Sequence, residues 1–333
     1  IMDIARFLGS LATLDGATGR YHILGVMGPD EYHEKYPGSD EPGLRDNAYT
    51  HVMSVWVMER ALEIRGLLPP ARVAEIAARI GLEADEVERW RHIAGKMTGP
   101  FHGDGIISQF EGYEKLKEFD WEAARARHGD IKRLDRILKA EGDSPDQYQV
   151  AKQADVLMLF YLLPPDELKR LFEKLGYALD EDTIRRTIDY YLPRTSHGST
   201  LSKLVHASIL DDIDHDAAWA LFLEALQADF ADVQGGTTPE GIHLGAMAGT
   251  VDIVLRRYAG IDAAGEVIAF SPRLPAALDR LRLKVLHRDQ WYGVQLTRDR
   301  FVLELEPGPT GPVTVRVLGA EHSLKPGDRY ECE

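Results

Sequence analysis

The sequence predicts a mainly α-helical chain that closes with a small antiparallel β-sheet domain. Three observations carry this. From Ile1 to about Gly260 apolar residues recur at helical spacing. Several of the helices so read are joined by short loops, as in antiparallel helix pairs. After Gly260 the pattern becomes short segments of β-type composition with partial alternation, separated by turn residues. The 333 residues suffice for two domains, at about 150 residues each. The division is read as 1–263, helical, and 264–333, β.

Taken in order, Met2 to Leu8 already reads as helix and Tyr21 to Val26 as a strand. Asp46 and Asn47 are good N-caps for the run Ala48–Ile64, whose apolar residues lie on more than one face, as in a helix buried on several sides. Pro69–Ile80 is a shorter helix, stopped by Gly81. Further helices are read at Ala84–Lys96, Asp130–Ala140, Asp146–Leu162, Asp166–Leu175, Glu181–Leu192, Thr200–Leu210, Asp214–Phe230 and Ile242–Tyr258. Strands follow at Leu281–Val285, Trp291–Thr297, Phe301–Leu305 and Val313–Val317. Their turns are Arg298–Asp299, Pro307–Gly308–Pro309 and Pro326–Gly327–Asp328, and Pro272–Pro275 reads as the connector. There is no sequence repeat of fixed period, so a regular solenoid is not indicated. The chain opens on Ile1, already at a helix, and is expected to be a piece of a longer protein.

Hydrophobic residues at 44% and charged residues at 28% exclude a wholly disordered or fibrous chain. The net charge of -15 gives an acidic surface that repels phosphate backbones, so no nucleic-acid partner is expected. The single cysteine, Cys332, can form no internal disulfide and no Cys-rich metal site. The densest apolar run, Val156–Leu163, is far short of the ~20 residues that span a bilayer, and no membrane partner is expected. No signal peptide is visible in these residues, and the expected location is the cytoplasm.

Four clusters carry candidate chemistry. Gly28-Pro29-Asp30-Glu31-Tyr32-His33 puts two adjacent carboxylates on a turn, where a general acid can face a cleft; the plain alternative is a solvated acidic turn. Lys152-Gln153, read as one turn into the apolar helix, offers sugar hydroxyls several donors and one acceptor; the alternative is an exposed helix face. Thr195 to Ser202 sets several hydroxyls at a helix N-terminus, which suits either an anion or ordinary capping by Ser199 or Thr200. Gly235 to His243, followed by Leu-Gly-Ala-Met-Ala-Gly, combines tight-turn glycines with a histidine that can face an anion or serve a packed helix. The histidines form no H-E-x-x-H pattern, and no metal site is read.

The motifs GPDEYH, KQADV, SHGSTLS and EGIHLGAMAG occur in that order. Together they resemble glycoside hydrolase family 65, which includes the maltose, trehalose and kojibiose phosphorylases and some α-glucoside hydrolases. The resemblance extends to the DNAYT stretch at Asp46–Thr50 and to the PRLP connector. It implies an (α/α)6 barrel, of which this chain is the second half, followed by the small C-terminal β domain. The N-terminal sandwich and the other half-barrel are then missing, so the chain alone is expected to be nearly inactive.

The resemblance assigns Glu31 as the general acid and places Lys152 and Gln153 at the transferred glucose. It matches Ser199 and Thr200 to a phosphate-binding tandem, with His243 as partner. The activity implied is an inverting α-glucoside (disaccharide) phosphorylase that yields β-glucose 1-phosphate. It needs no cofactor, takes inorganic phosphate as co-substrate, and by family analogy forms a homodimer. A hydrolase of the same family, trehalase-like or kojibiose-hydrolase-like, is the alternative, with Glu240 as candidate base. A non-catalytic carbohydrate-binding or structural fragment is a second alternative. Two features depart from the family pattern: Gly198 stands where its phosphorylases usually carry an acidic residue, and Lys35–Arg45 is a longer link than usual. Of the adjacent carboxyls, Glu31 is expected to hold the raised pKa while Asp30 stays ionised and hydrogen-bonded.

Overall fold

The computed structural model describes residues 1–233, 238–308 and 311–333, apart from the side chain of Glu240. The chain forms two compact units, Ile1–Val205 and His206–Glu333.

The first unit opens with α1 (Met2–Leu11) and a three-stranded antiparallel sheet of β1 (Ala12–Asp15), β2 (Arg20–Val26) and β3 (Leu44–Arg45). Helices α2 (Ala48–Leu67), α3 (Pro70–Ile80) and α4 (Ala84–Lys96) follow. Then come α5 (Trp121–His128), α6 (Leu134–Ala140), α7 (Asp155–Leu162), α8 (Pro165–Lys174), α9 (Glu181–Tyr191) and α10 (Thr200–Leu210), within which the unit boundary falls. α2 buries Val52, Val55, Met58 and Ala61, and also His51 and Ser54. That is more than one stripe, because α1, α4, α7 and α8 all pack on it. Its N-cap is Asn47, whose side chain accepts the Thr50 N–H at 2.9 Å. Asp46 instead takes a left-handed φ of 55° and sends its carboxylate to His22 Nδ1 at 2.7 Å.

The second unit continues with α11 (His215–Leu226) and α12 (Leu244–Ile253), the latter running on as a π-helical turn, Val254–Tyr258. Eight strands follow: β4 (Ile261–Asp262), β5 (Ile268–Phe270), β6 (Arg280–His287), β7 (Gln290–Thr297), β8 (Arg300–Leu305), β9 (Val313–Val317), β10 (Ala320–Leu324) and β11 (Arg329–Cys332). They form two four-stranded sheets, ordered β10-β9-β5-β4 and β11-β8-β7-β6. Every pairing is antiparallel except β5 with β9. Alternate residues of the central strands, Tyr292, Val294 and Leu296 with Phe301, Leu303 and Leu305, form the core with Phe270, Val315 and Val317. Pro309, in one predicted turn, lies outside the described residues, as do Gly235, Gly236 and Thr237 of the fourth cluster.

One helix differs from the reading in a way that matters for function. α7 starts at Asp155, not Asp146. Residues Pro145–Gln147 make a single 3-10 turn, and Lys152 and Gln153 lie in the loop before the helix. The backbone donors of this stretch are taken by distant partners. Ala151 N–H donates to Arg194 O at 2.8 Å and Lys152 N–H to Asp30 Oδ1 at 3.0 Å, while Ala151 O accepts the Ser196 N–H. A helix cannot form through groups already committed elsewhere. Among the described residues no helix is long and apolar enough to cross a membrane.

Candidate active site

β2 ends at Val26 and the chain turns through Gly28 and Pro29. A Cβ at Gly28 would lie 1.6 Å from Asp155 Oδ2 and 2.5 Å from Asn47 Nδ2, so only glycine fits. The next two residues part company. Asp30 is buried at 2% exposure, whereas the Glu31 side chain is 70% exposed.

Asp30 is the hub of a buried polar network. Its Oδ1 accepts the N–H groups of Lys152 and Tyr32, and its Oδ2 accepts Gln109 Nε2–H at 3.0 Å. Its own N–H donates to Asp155 Oδ1 at 2.6 Å. Asp155 Oδ2 accepts from Asn47 Nδ2 at 2.9 Å, and the Asp155 N–H donates to Gln109 Oε1. Gln109 N–H in turn donates to the Tyr191 hydroxyl. Burial, partly offset by these donors, pushes the Asp30 carboxyl up to about 6. Burial, with Asp30 nearby, pushes Asp155 well above the usual carboxylate range. The expectation that Asp30 stays an ordinary ionised carboxylate is therefore corrected: its carboxyl is raised. Asp30 is hydrogen-bonded to backbone as expected, but it is the desolvated group, and desolvation outweighs its donors.

The sign of the pH effect follows. A carboxyl that holds its proton more tightly when folded stabilises fully below the unfolded value of ~3.9 and loses that contribution as pH rises through the folded value. In the full-length protein, Asp155→Asn removes one such group. The melting temperature of Asp155→Asn relative to the unsubstituted protein is expected to improve between pH 4.5 and pH 7.5. Calorimetry at both pH values checks this, and an equal difference at the two would contradict it.

Glu31 is held from outside the network. Lys152 Nζ donates to Glu31 Oε2 at 2.6 Å, and Gln153 Nε2 donates to Pro29 O at 3.1 Å. Gln153 Oε1 is buried and accepts no hydrogen bond among the described residues. It is an acceptor available to an incoming hydroxyl.

The hydroxyl-rich segment is built onto the same place. Thr195 forms a parallel bridge with Ala151, and Tyr32 Oη lies 2.7 Å from Ser196 Oγ. A Cβ at Gly198 would meet Lys132 O at 2.5 Å, Lys152 Cγ at 3.0 Å and the Tyr32 hydroxyl at 3.2 Å. This close approach leaves no room for a side chain, acidic or otherwise, and accounts for glycine at a position where the sequence departs from the family pattern. Ser199, half-buried, accepts the Leu201 N–H at 3.3 Å, and Thr200 is buried at the start of α10. His197 takes a left-handed φ of 56° and lies 3.0 Å from Ser202 Oγ through Nδ1. His33 is buried among Phe110 and Tyr113, bonded through Nε2 to Tyr148 O, and burial lowers its pKa to about 4. It is therefore a neutral packing residue at pH 7.

The structure thus brings together Glu31, Lys152 and the Ser196–Gly198 backbone that leads into Ser199 and Thr200. His243 belongs to the second unit. Asp229 grips it twice, Oδ1 at 2.5 Å from Nδ1 and Oδ2 accepting the backbone N–H at 2.9 Å. These bonds hold the Asp229 carboxyl below the usual range. Glu240 closes a 3-10 turn, Thr238–Glu240, in the same unit. Asp155, and the bond that ties Asn47 to it, have no signal in the sequence beyond lying inside the motifs KQADV and DNAYT. Gln109 and Asp229 carried no local signal.

Comparisons with known proteins give the family and the fold. The family profile described as the glycosyl hydrolase family 65 central catalytic domain matches residues 1–252, and that of the family's C-terminal domain matches residues 261–324. The chain is 46% identical over 331 residues to an uncharacterized glycosyl hydrolase of Mycobacterium tuberculosis, covering 99% of this chain and 25% of the relative. It is 41% identical over 330 residues to the trehalose 6-phosphate phosphorylase of Lactococcus lactis, covering 98% of this chain and 40% of the relative. A kojibiose phosphorylase of Caldanaerobacter subterraneus is 30% identical, with 97% and 39% covered. The chain spans a quarter to two fifths of the length of these relatives. A solved structure of a candidate kojibiose phosphorylase from the human microbiome superposes with a TM-score of 0.74 at 20% identity, over 98% of this chain and 41% of that one. The shared fold is a portion of an (α/α)6 barrel followed by a small β domain.

Proposed function

The chain belongs to glycoside hydrolase family 65, and from that membership we propose that it carries the acid and the sugar and phosphate contacts of an inverting α-glucoside phosphorylase. One observation supports this most. The Lys152 ammonium lies 2.6 Å from Glu31 Oε2, and the Gly198 backbone is packed against the same lysine side chain. Glu31, Lys152 and the segment leading into α10 are thereby adjacent. On this proposal the entering sugar displaces the Lys152 ammonium from Glu31, and the Glu31 carboxylate, having lost its cation, takes up a proton from solvent before reaction. Glu31 protonates the leaving oxygen, and phosphate held by Ser199 and Thr200 attacks the opposite face of the anomeric carbon. Phosphate brings its own nucleophilic oxygen, so no second carboxylate is needed, unlike an inverting hydrolase. No cofactor takes part; inorganic phosphate is the co-substrate.

The test is disaccharide consumption by the full-length enzyme, with and without phosphate. Trehalose, kojibiose and maltose are the substrates to try, with trehalose 6-phosphate added because a relative carries that name. Turnover that requires phosphate is expected. Equal glucose release in both conditions would replace phosphorolysis by hydrolysis.

A further inference from the structure

The second unit contains a cavity of about 240 Å³ that none of the four motifs lines. Its walls are Asp211, His215, Asp216, Trp219, Tyr258 and Arg273, closed on one side by the connector from Leu274 to Ala277. The apolar wall is aromatic. The Trp219 indole stacks on Phe222 with centroids 5.4 Å apart at 29°, and Tyr258 meets Phe222 edge-on at 5.3 Å. The polar wall is unevenly satisfied. Asp212 takes both nearby guanidinium groups, Arg273 Nη1 at 2.6 Å and Arg257 Nη1 at 3.1 Å. Its neighbour Asp211 is half-buried and, among the described residues, accepts no hydrogen bond and forms no ion pair. Burial raises its carboxyl pKa, as expected for a group short of donors.

A half-buried acceptor facing a cavity calls for a donor from the occupant. The other lining groups narrow the choice. An aromatic face beside carboxyl, imidazole and guanidinium groups suits a ligand with one apolar C–H face and a rim of hydroxyls. Among the described residues no three His, Cys, Asp or Glu side chains are arranged to hold a metal ion. The volume lies below the ~300–1,000 Å³ of pockets that hold drug-sized ligands, leaving room for one sugar ring.

We propose that this cavity binds a single neutral pyranose, with a ring face on Trp219 and hydroxyls bonded to Asp211, Asp216 and Arg273. The argument is independent of the assignments made at Glu31 and Lys152.

The test uses full-length protein and methyl α-D-glucopyranoside, with stoichiometry and affinity read by calorimetry and ligand-observed NMR. The unsubstituted protein is expected to bind at two sites. Lys152→Ala should remove one and Trp219→Ala the other, and Asp216→Ala, at an exposed position, should weaken the second at least tenfold without altering the melting temperature. Should Trp219→Ala fail to fold, Trp219→Phe and Asp216→Ala carry the test. If the active-site reading fails, Lys152→Ala changes nothing, yet Trp219→Ala still removes a site. Binding that is unchanged in the Trp219 and Asp216 variants overturns the proposal, as does the absence of any site in Lys152→Ala protein.

Discussion

Replacing Glu31 by glutamine in the full-length enzyme is expected to lower kcat on an unactivated disaccharide by about 10²–10⁴-fold. The glutamine keeps the size of the side chain, and its carbonyl oxygen can still accept from Lys152 Nζ, which now donates to Glu31 Oε2 at 2.6 Å. What it lacks is a proton to give the leaving oxygen. Sugar binding should survive, so KM for the disaccharide changes little and the loss appears in kcat and kcat/KM together. A substrate with a good leaving group, such as α-glucosyl fluoride with phosphate, needs little protonation and should be largely spared. The fold should be indifferent, since the side chain is 70% exposed and surface substitutions usually move stability by less than ~0.5 kcal/mol. Steady-state kinetics on the two substrates and a melting curve decide it. Near-normal turnover of the disaccharide would show that another group is the acid. Asp30→Asn should behave differently, because the Asp30 carboxylate anchors three donors inside the protein.

The largest stability effect is expected at Gly28. A methyl group there would fall 1.6 Å from Asp155 Oδ2, and the atom it displaces is not the end of a flexible exposed chain. Asp155 is fully buried and bonded to Asn47 and to the Asp30 backbone. To make room, either the Gly28–Glu31 turn moves outward or the network breaks. Overpacking alone costs ~1–3 kcal/mol, and a buried polar group left without its partner adds ~1–3 more. Together these cost ~2–6 kcal/mol, so Gly28→Ala should lower the melting temperature by roughly 4–24 °C, at ~2–4 °C per kcal/mol for a unit of this size. It should also lower activity, because the same turn carries Glu31. Gly66→Ala, in α2 with nothing within 4 Å of the added carbon, is the control and should not be destabilising. A melting temperature for Gly28→Ala equal to that of the control would refute the steric argument.

The regular elements were legible because their information is local. Asn47 before an apolar run, Pro70 at the first turn of α3, and Gly81 at φ 62° after its last turn mark helix ends within a few residues. The alternation in β7 marks a strand in the same way. The stretch from Gln149 to Ala154 was read as helix because its composition permits one. Its backbone groups are claimed by Lys117, Arg194 and Asp30, at sequence distances no local pattern reports. The candidate site divides along the same line. Glu31, Lys152 and Gln153 stood out by residue type, but which carboxyl of Asp30 and Glu31 is buried depends on Gln109 and Asp155, 79 and 125 residues away from Asp30. Asp229 escaped notice for the same reason: its partner His243 lies 14 residues on. Gly198 is the reverse case, an oddity in sequence that Lys132, Lys152 and Tyr32 explain at once.

The proposed reaction is an inverting attack by phosphate on a glucoside protonated by Glu31. The most direct measurement is the anomeric configuration of the first product, read by ¹H and ³¹P NMR within the first turnovers of the full-length enzyme on its preferred disaccharide. β-Glucose 1-phosphate is expected, formed in step with the released sugar and absent when phosphate is omitted. α-Glucose 1-phosphate, or free glucose as the first product in the presence of phosphate, would contradict it.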